Sequence, residues 1–340
     1  MRGKGVSAGE EIFLLPRLYW KSAVLFAGLR LNVFELLQSP QTAAYVANAT
    51  ESCEASMTLL LNALVSLRIL EKAGENYSNS TVARAFLTEG SEMSMKLVWL
   101  HLADQWGPWE KLSDAVRLGS PVLALAANID RPSDQAEEAH PDAHYVPCSI
   151  QISKLLAREF VRKIDLNGVK YMLDVGGGAG GNFSLAVCKT VPGARAVILD
   201  LPATVKAAED AGTESWQNDR IEYIAGDARR DDFGTGYDLV LMSLFIHVFP
   251  ADVWKLLIAK AYRALVPSGR VAINEYLLEE NRAEPEFSTL YALYCLVNFR
   301  GGYVATTNEV ESWMTDAGFK DVQQLDLYRG LKTVIGTKGT

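Results

Sequence analysis

The spacing of apolar and polar residues predicts helices in the first part of the chain. Apolar residues recur at helical spacing over 18–37 and over 56–74, and Gly74 follows as a helix stop. A polar turn and a short extended piece come next, at 75–87. Helix, helix and hairpin in this order are typical of a winged helix.

The pattern changes at residue 171 to short apolar runs that alternate with amphipathic stretches. The predicted strands are 171–175, 195–200, 221–226, 237–243 and 270–278, and the predicted helices between them start near 181 or span 203–211 and 251–265. Such alternation indicates a mainly parallel sheet with helices on both faces. The sequence therefore predicts a Rossmann-like, doubly wound α/β domain, in which ligands bind beyond the carboxyl ends of the strands.

The segment between these two parts is predicted to be helical and then irregular. Residues 91–130 have a helical pattern and are rich in tryptophan, whereas 130–147 are polar and broken by prolines. We interpret 130–147 as a surface connection, followed by a helix over 150–165 that enters the α/β domain.

Composition and charge argue against a nucleic-acid partner and against a membrane-spanning segment. The 340 residues are 49% hydrophobic, with a formal net charge of −8 and a pI near 5.2. This acidic balance argues against nucleic acid as a partner, because phosphate binding needs a basic face. No run reaches the ~18 uninterrupted apolar residues of a membrane span. The first 20 residues make a poor signal peptide, because Glu10 and Glu11 interrupt them and Pro16 ends the apolar run.

The cysteines and histidines predict neither a metal site nor a disulfide framework. The four cysteines are far apart in the chain, and no cluster of His, Cys and carboxylates has ligand spacing. Scattered cysteines are typical of reduced thiols, so we predict a cytoplasmic protein without a metal.

The stretch YMLDVGGGAGGNF, at 171–183, is the first sign of chemistry. A buried strand ends in an acid and opens into a glycine-rich turn, and a helix follows. A turn without Cβ atoms lets a ligand approach the backbone closely. Gly176, Gly178 and Gly181 satisfy the G-x-G-x-x-G pattern, which also occurs in nicotinamide-dependent oxidoreductases. The pattern alone therefore leaves the nucleotide open.

Three acids at successive strand ends favour S-adenosylmethionine (SAM) over a dinucleotide. Asp174 precedes the glycines with only Val175 between them, where it would repel a pyrophosphate but suit the ammonium of SAM. Asp200 and Asp227 end the next two strands, where they could accept hydrogen bonds from the ribose and the adenine amine. Capping of the following helices explains Asp200 or Asp227 singly, but not three acids in a row beside a glycine turn.

The chain resembles the class I SAM-dependent O-methyltransferases of the plant caffeate/isoflavone type and their bacterial natural-product relatives. The resemblance covers nearly the whole chain and rests on LDVGGGAGG, VILDLPATV, IAGDA, the segment from IHVF to INEYLL, and GGYVATTNEVESWMTDAGF. It implies a winged-helix-like dimerisation domain at 1–100, a helical connection at 101–155 that contributes to the acceptor pocket, and a SAM-binding domain at 156–340. It also implies a homodimer through the N-terminal helices and S-adenosylhomocysteine (SAH) as a product.

Carried over by position, the resemblance implies a set of cofactor contacts. These are Ser153, Asp174, Gly176, Gly177, Gly178, Asp200, Leu201, Asp227, Ala228 and Ser243. At Ser243 the plant enzymes usually carry lysine. The positions that surround the acceptor are Trp106, Trp109, Phe245, Tyr294, Asn298 and Phe299. Any single aromatic of this set also fits ordinary core packing, but together they suggest a flat aromatic or polycyclic acceptor.

His247 matches the general base of the family, and Glu275 matches the acid that orients it. Histidine suits the removal of a phenolic proton, because its unperturbed pKa of about 6.5 lies near the working pH. A buried structural histidine is the plainer alternative. The family usually has acids where this chain has Val248 and Val304. Both changes make the site more apolar, which disfavours an imidazolium.

The sequence therefore predicts a SAM-dependent O-methyltransferase for an aromatic or polyketide-type hydroxyl in secondary metabolism. A C- or N-methyltransferase of the same family is an alternative, because the two valines could weaken base catalysis. A more distant alternative is an NAD(P)-dependent oxidoreductase, and a third is a DNA-binding regulator that senses SAM. The acidic balance and the leucine-rich second helix, in which Arg68 is the only basic residue before Lys72, count against the regulator.

Overall fold

The computed structural model describes residues 12–122 and 144–340. The chain divides into two compact units, Met1–Asp104 and Gln105–Thr340. The interpretation of the first residues as a poor signal peptide and most of the proposed connection at 130–147 fall outside the described residues. The three-part division at residues 100 and 155 remains a prediction.

The first unit is mainly helical with a small sheet. Its helices are α1 (Leu18–Arg30), α2 (Val33–Leu36), α3 (Ala43–Ala49), α4 (Glu54–Ser66), α5 (Thr81–Phe86) and α6 (Lys96–Asp104). Within residues 12–104 the strands β1 (Gln41–Thr42), β2 (Leu70–Ala73) and β3 (Asn76–Asn79) form an antiparallel sheet in the order β1-β3-β2. Phe34, Leu61, Leu64 and Tyr77 lie in its core. The predicted combination of helices and a hairpin is confirmed.

Two helix limits predicted from apolar spacing are wrong. The run at 18–37 is broken at Asn32, which has a left-handed φ of 55°. The run at 56–74 stops being helical before Arg68, whose φ is 60°, and its last residues form β2. Gly74 is therefore the turn residue of the β2–β3 hairpin, with a φ of 61°, and not a helix stop.

The start of the first unit carries an exposed apolar surface. Among the described residues, the helical stretch Ile12–Arg30 is the one that could cross a membrane by length and composition, although Arg17 and Lys21 interrupt it. The large apolar side chains exposed along it are Ile12, Phe13, Leu14, Leu15, Leu18, Tyr19 and Trp20. A surface of this kind normally marks an interaction site.

The second unit has the predicted alternation of strands and helices. Its helices are α7 (Trp106–Glu110), α8 (Leu112–Leu118), α9 (Tyr145–Lys163), α10 (Asn182–Thr190), α11 (Pro202–Ala211), α12 (Ala251–Ala264), α13 (Glu286–Asn298) and α14 (Thr307–Asp316). Its strands are β4 (Tyr171–Val175), β5 (Arg195–Asp200), β6 (Ile221–Ala225), β7 (Tyr237–Ser243), β8 (Leu265–Tyr276), β9 (Phe319–Tyr328) and β10 (Leu331–Lys338). The α/β fold class is confirmed.

The sheet of the second unit brings the predicted acids Asp174 and Asp200 together at the carboxyl ends of its parallel strands. Within residues 144–340 it has seven strands in the order β6-β5-β4-β7-β8-β10-β9. The first five are parallel, and β10 runs antiparallel to both β8 and β9. The chain reverses its direction of progress between β4 and β7, which is the switch point at which such sheets bind ligands. Asp174 and Asp200 lie on the neighbouring strands β4 and β5, near their carboxyl ends.

The sheet is held between two apolar layers. One layer contains Trp254, Leu257 and Ile258 from α12, and the other contains Phe160 from α9 and Phe183 from α10. The strands β4, β5 and β7 are almost wholly buried, as expected for parallel strands with helices on both faces. This packing fixes the strand ends that carry the candidate site.

Candidate active site

The glycine turn after β4 is shaped by close contacts that exclude side chains. Gly176 has a φ of 71°, and a Cβ there would lie 2.2 Å from the ring of Phe245. A Cβ on Gly177 would lie 2.8 Å from the carboxyl carbon of Asp174. At Gly178, by contrast, a Cβ would meet no described atom within 4 Å. The backbone of the turn is therefore approachable from the side of Gly178.

Asp200 is held against this open side by backbone hydrogen bonds. Its Oδ2 accepts from the N–H of Gly178 at 2.8 Å, and its Oδ1 accepts from the N–H of Leu201 at 2.8 Å. Burial raises the pKa of the carboxyl group, whereas the two N–H donors oppose that change. The side chain of Thr204 also hydrogen-bonds to this carboxylate. Asp200 thus has a fixed orientation, and a carboxylate can still accept a further hydrogen bond from a ligand.

Asp174 lies beneath the turn and is almost fully buried. It is 1% exposed, its Oδ2 accepts from the hydroxyl of Ser184 at 2.9 Å, and its Oδ1 has no partner among the described residues. Burial, together with the charge of Asp200, raises the pKa of this carboxyl to about 7, although hydrogen bonds from Ser184 oppose the rise. An unpaired buried carboxylate oxygen is costly unless a cation or a donor comes close.

This raised pKa predicts a pH-dependent cost to stability. The folded state keeps the Asp174 proton up to about pH 7, whereas the unfolded state loses it near pH 4, so stability falls between those values. We expect Asp174→Asn to be more stable than wild type by up to roughly 4 kcal/mol above that range, and to show no such advantage below it. Thermal unfolding midpoints across pH measure the difference.

The matched control for this prediction is Asp210→Asn, which makes the same change on an exposed carboxylate of α11. We expect its unfolding midpoints to follow those of wild type at every pH. An Asp174→Asn curve that runs parallel to the wild-type curve would show that the buried carboxyl does not retain its proton.

Asp227, which follows β6, is engaged by an arginine that the sequence analysis did not identify. Arg229 Nη2 lies 2.8 Å from Asp227 Oδ2, and Arg229 Nε lies 3.0 Å from Oδ1. Burial alone would raise the pKa of Asp227, but the hydrogen bonds and charge of Arg229 outweigh it and lower the pKa. The carbonyl of the next residue, Ala228, accepts from Lys260 Nζ. A ligand amine at Asp227 would therefore share the carboxylate with Arg229.

The two candidate serines lie in side-chain networks on opposite sides of the turn. Ser153 Oγ, on α9, accepts from Asn182 Nδ2 at 2.9 Å, which ties α9 to the start of α10. Ser243 Oγ, at the end of β7, accepts from Asn274 Nδ2 at 3.1 Å. The Oδ1 of Asn274 in turn accepts a hydrogen bond from the hydroxyl of Thr333 at 2.8 Å.

His247 and Glu275 form a buried pair directly after β7 and on β8. His247 Nδ1 lies 3.1 Å from Glu275 Oε2 and 3.2 Å from Oε1, and the two residues are 6% and 0% exposed. Glu275 Oε1 also accepts from the backbone N–H groups of Phe245 at 2.9 Å and Ile246 at 3.0 Å. Leu244, with a φ of 48°, turns the chain so that these N–H groups face the carboxylate.

The remaining acceptor-side candidates divide into those near His247 and those further away. The ring of Phe299 lies 5.7 Å from the His247 ring, and Tyr294 packs on Phe299 at 5.8 Å. Asn298 is buried and donates to the carbonyl of Tyr294 on its own helix. Phe245 joins this group to the glycine turn through its contact with Gly176.

Trp106 and Trp109 lie on α7, which packs on α13 together with α8. Trp106 is 43% exposed and Trp109 is half-buried. Val248 and Val304 are both buried in the apolar cluster around Phe249 and Phe299. The two positions at which the resemblance implies acids are thus part of the core here.

Tyr291 is a further residue at the site that was not predicted from the sequence. Its hydroxyl lies 3.0 Å from His247 Nε2, and its ring packs edge-on to the imidazole at 5.2 Å. Tyr291 precedes Tyr294 on α13 by one helical turn, so the helical spacing of the aromatic residues was the available signal. In the described ranges 12–122 and 144–340, no group of three or more His, Cys, Asp or Glu residues could hold a metal ion.

Comparisons with known proteins agree with this geometry. A family model described as an O-methyltransferase domain matches residues 109–320, and one described as an O-methyltransferase dimerisation domain matches residues 14–89. Together the two models account for most of the chain and correspond to the second and first units.

Individual relatives match over nearly their full length. The chain is 27% identical over 310 residues to a 3-hydroxy-5-methyl-1-naphthoate 3-O-methyltransferase from Streptomyces sahachiroi, covering 89% of this chain and 87% of the relative. It is 29% identical over 331 residues to acetylserotonin O-methyltransferase from Bos taurus, covering 93% and 94%. The crystal structure of human N-acetylserotonin methyltransferase in complex with SAM has a TM-score of 0.83, 26% identity and full coverage of both chains.

Proposed function

The chain belongs to the SAM-dependent O-methyltransferase family, and from this premise we propose that it methylates an aromatic or polyketide-type hydroxyl of a small molecule in secondary metabolism, with His247 as general base. The observation that carries the proposal is the buried His247–Glu275 pair, with 3.1 Å between Nδ1 and Oε2. His247 follows Phe245 in the chain by two residues, and the ring of Phe245 lies against the glycine turn. Base and cofactor turn are thus neighbours.

The residues around the glycine turn fit SAM. The backbone at Gly178 is open, and the Asp200 carboxylate beside it is oriented to accept from ribose hydroxyls. Oδ1 of Asp174 has no partner among the described residues and lies beneath the turn, where the ammonium of the ligand would favour the ionised carboxylate. We assign the adenine side to Asp227 and Ala228. When bound, SAM supplies a methyl group that its sulfonium has already activated.

The cofactor contacts implied by the resemblance remain part of this proposal. Ser153 and Ser243 would face the methionine end of SAM, and Leu201 would border the ribose beside Asp200. The networks of Asn182 and Asn274 hold the two serine hydroxyls in fixed positions, which supports a role in orienting a ligand.

Glu275 determines how His247 can act. A carboxylate accepts hydrogen bonds but does not donate them, so the imidazole proton lies on Nδ1 and Nε2 keeps its lone pair. In the proposed reaction the acceptor O–H bond breaks and its proton bonds to Nε2. The oxygen lone pair forms the new O–C bond while the C–S bond of SAM breaks and its electrons stay on sulfur. The products are a methyl ether, SAH and an imidazolium that Glu275 stabilises.

The acceptor side favours a flat aromatic molecule. The ring of Phe299 packs against His247, and Tyr294 packs on Phe299. Phe299 belongs to the same apolar cluster as Val248 and Val304, and Phe245 packs against this cluster. The Streptomyces sahachiroi relative is named for a hydroxynaphthoate and the bovine relative for acetylserotonin, and both names describe a hydroxyl on an aromatic ring system. We include Trp106, Trp109 and Asn298 in the proposed acceptor surface. Family membership supports a hydroxyl acceptor over the C- and N-methyl alternatives and over a nicotinamide oxidoreductase.

The experiment that tests this function is transfer of labelled methyl from SAM to a panel of phenols and hydroxylated polycycles. We expect methyl ethers, identified by the position of the label in the product. Label that appears only on carbon or nitrogen would contradict the proposal and restore the alternative chemistry.

We also propose that the protein is a homodimer through its N-terminal helices. The chain contains a dimerisation domain at 14–89, and the exposed apolar side chains at 12–20 need a cover. We expect light scattering to give a mass near twice 37.3 kDa. Phe13→Glu with Leu15→Glu should shift the mass toward the monomer, because it places charges on this surface.

Leu256→Glu is the matched control, since Leu256 is an exposed apolar residue of the second unit. A monomeric wild-type mass would contradict the dimer, and a mass unchanged by the N-terminal substitutions would place the interface elsewhere. The acidic net charge and the free cysteines support our further proposal of a cytoplasmic enzyme without a nucleic-acid partner, which cell fractionation and a DNA mobility assay can test.

A further inference from the structure

Both ring nitrogens of His247 have partners in the structure. Glu275 accepts from Nδ1, and the hydroxyl of Tyr291 lies 3.0 Å from Nε2. Nε2 is the atom that must receive the acceptor proton under the proposed function. The nitrogen needed for catalysis therefore carries a hydrogen bond from the protein itself.

The direction of this bond follows from Glu275. Because the imidazole proton lies on Nδ1, Nε2 can only accept, and Tyr291 must be the donor. Burial raises the pKa of the Tyr291 hydroxyl well above its usual value, so the hydroxyl keeps the proton that it donates. A donor on Nε2 matches the tautomer with the proton on Nδ1 and the lone pair on Nε2, which is the tautomer that the proposed base requires.

The Tyr291 ring is placed by other aromatic rings. It stacks on Tyr294 with 5.3 Å between centroids and 13° between planes, and nearly parallel to Phe287 at 6.2 Å and 16°. Tyr276 packs on it at 5.0 Å. The result is a phenol held against the catalytic nitrogen among aromatic neighbours, which is the arrangement that a phenolic acceptor would need.

We propose that the Tyr291 hydroxyl occupies the place on His247 Nε2 that the acceptor hydroxyl takes, so that acceptor binding exchanges one O–H···Nε2 bond for another. This inference rests on the proposed role of His247 as general base. Tyr291 is then a positioning residue: it keeps the imidazole oriented, and it moves aside before the proton is transferred. Its hydroxyl competes with the acceptor and takes no part in the chemical step.

The test is Tyr291→Phe, which removes only the hydroxyl, measured as kcat and acceptor KM with saturating SAM and a phenol that the wild type methylates. We expect KM for the acceptor to fall about fivefold, because the acceptor no longer has to displace the hydrogen bond from Tyr291. We expect kcat to stay within about twofold of wild type. Tyr276→Phe is the matched control: it removes a hydroxyl from a ring that contacts Tyr291, and we expect both constants to stay unchanged. Thermal unfolding and SAH affinity confirm that each variant is folded.

Two outcomes for Tyr291→Phe would overturn the inference. A fall in kcat of tenfold or more at constant KM would mean that the hydroxyl remains in the proton path during the reaction. Unchanged kcat and KM would mean that the hydroxyl does not compete with the acceptor. His247→Asn, measured in parallel, tests the proposed function itself. If His247 is not the general base, His247→Asn stays active, and an exchange of hydrogen bonds on Nε2 is excluded as well. If His247→Asn is inactive, either outcome above counts against the role of Tyr291 alone.

Discussion

Asp200→Ala should abolish detectable binding of SAH, with a loss of affinity of about 100-fold or more. The substitution removes the carboxylate proposed to accept from the ribose hydroxyls, and hydrogen bonds to a charged group are worth about 1.5–3 kcal/mol each. It also leaves the N–H groups of Gly178 and Leu201 without their acceptor, so the glycine turn loses a hydrogen bond that holds its conformation. Isothermal titration calorimetry of purified variant and wild type measures the difference.

The matched control is Asp210→Ala, an exposed aspartate on α11 that takes no part in the turn. We expect wild-type SAH affinity for it. Asp200→Asn separates the two contributions, because the amide oxygen can still accept from one N–H while the charge is lost, and we expect an intermediate affinity. An Asp200→Ala protein that binds SAH like wild type would refute the assignment of the cofactor site.

The parallel part of the fold could be predicted because its signals are local. Buried strands such as 195–200 and 237–243 are continuous apolar runs, and the structure places strands at the same residues. Strand β8 is longer than predicted, since it begins at Leu265 and passes through Ser268, whose φ is 64°. This polar, proline-containing segment gives no strand signal, and the pairing of Leu265 with Tyr237 of β7 makes it part of the strand.

The first unit shows where apolar spacing is insufficient. The helix break at Asn32 leaves no gap in the apolar pattern, because the residues on both sides still face one core. Gly74 is the kind of residue that ends a helix and also the kind that makes a hairpin turn. The choice between the two depends on the pairing of β2 with β3, which residue spacing along the helix does not report.

The site could be predicted as far as single residues carry a motif. The glycine turn and the acids at strand ends follow from the residue pattern, and the roles of His247 and Glu275 follow from the resemblance. The structure brings this pair within hydrogen-bond distance. Arg229 and Tyr291 were missed because neither has a motif. Each belongs to the site through a side-chain hydrogen bond: Arg229 donates to Asp227, and the Tyr291 hydroxyl contacts His247.

His247→Asn should lower kcat by about 10²–10⁴-fold while SAH affinity stays near that of wild type. The asparagine amide N–H can still donate to Glu275, but the side chain offers no nitrogen that takes up the acceptor proton. Glu275→Gln should also lower kcat, because a neutral amide stabilises the imidazolium less and no longer fixes the proton on Nδ1. Single-turnover methyl transfer with a phenolic acceptor measures both.

The two variants differ in what else they disturb, and the comparison identifies the base. Glu275 also accepts from the backbone N–H groups of Phe245 and Ile246, so Glu275→Gln should lower thermal stability as well as kcat. His247→Asn leaves those bonds in place, and its loss should be confined to the chemical step. His144→Asn, a histidine at the start of α9 and outside the site, is the control for the residue type. Retention of wild-type kcat by His247→Asn would mean that the acceptor loses its proton to another group or to solvent, and that the buried pair serves the fold of the β7–α12 segment instead.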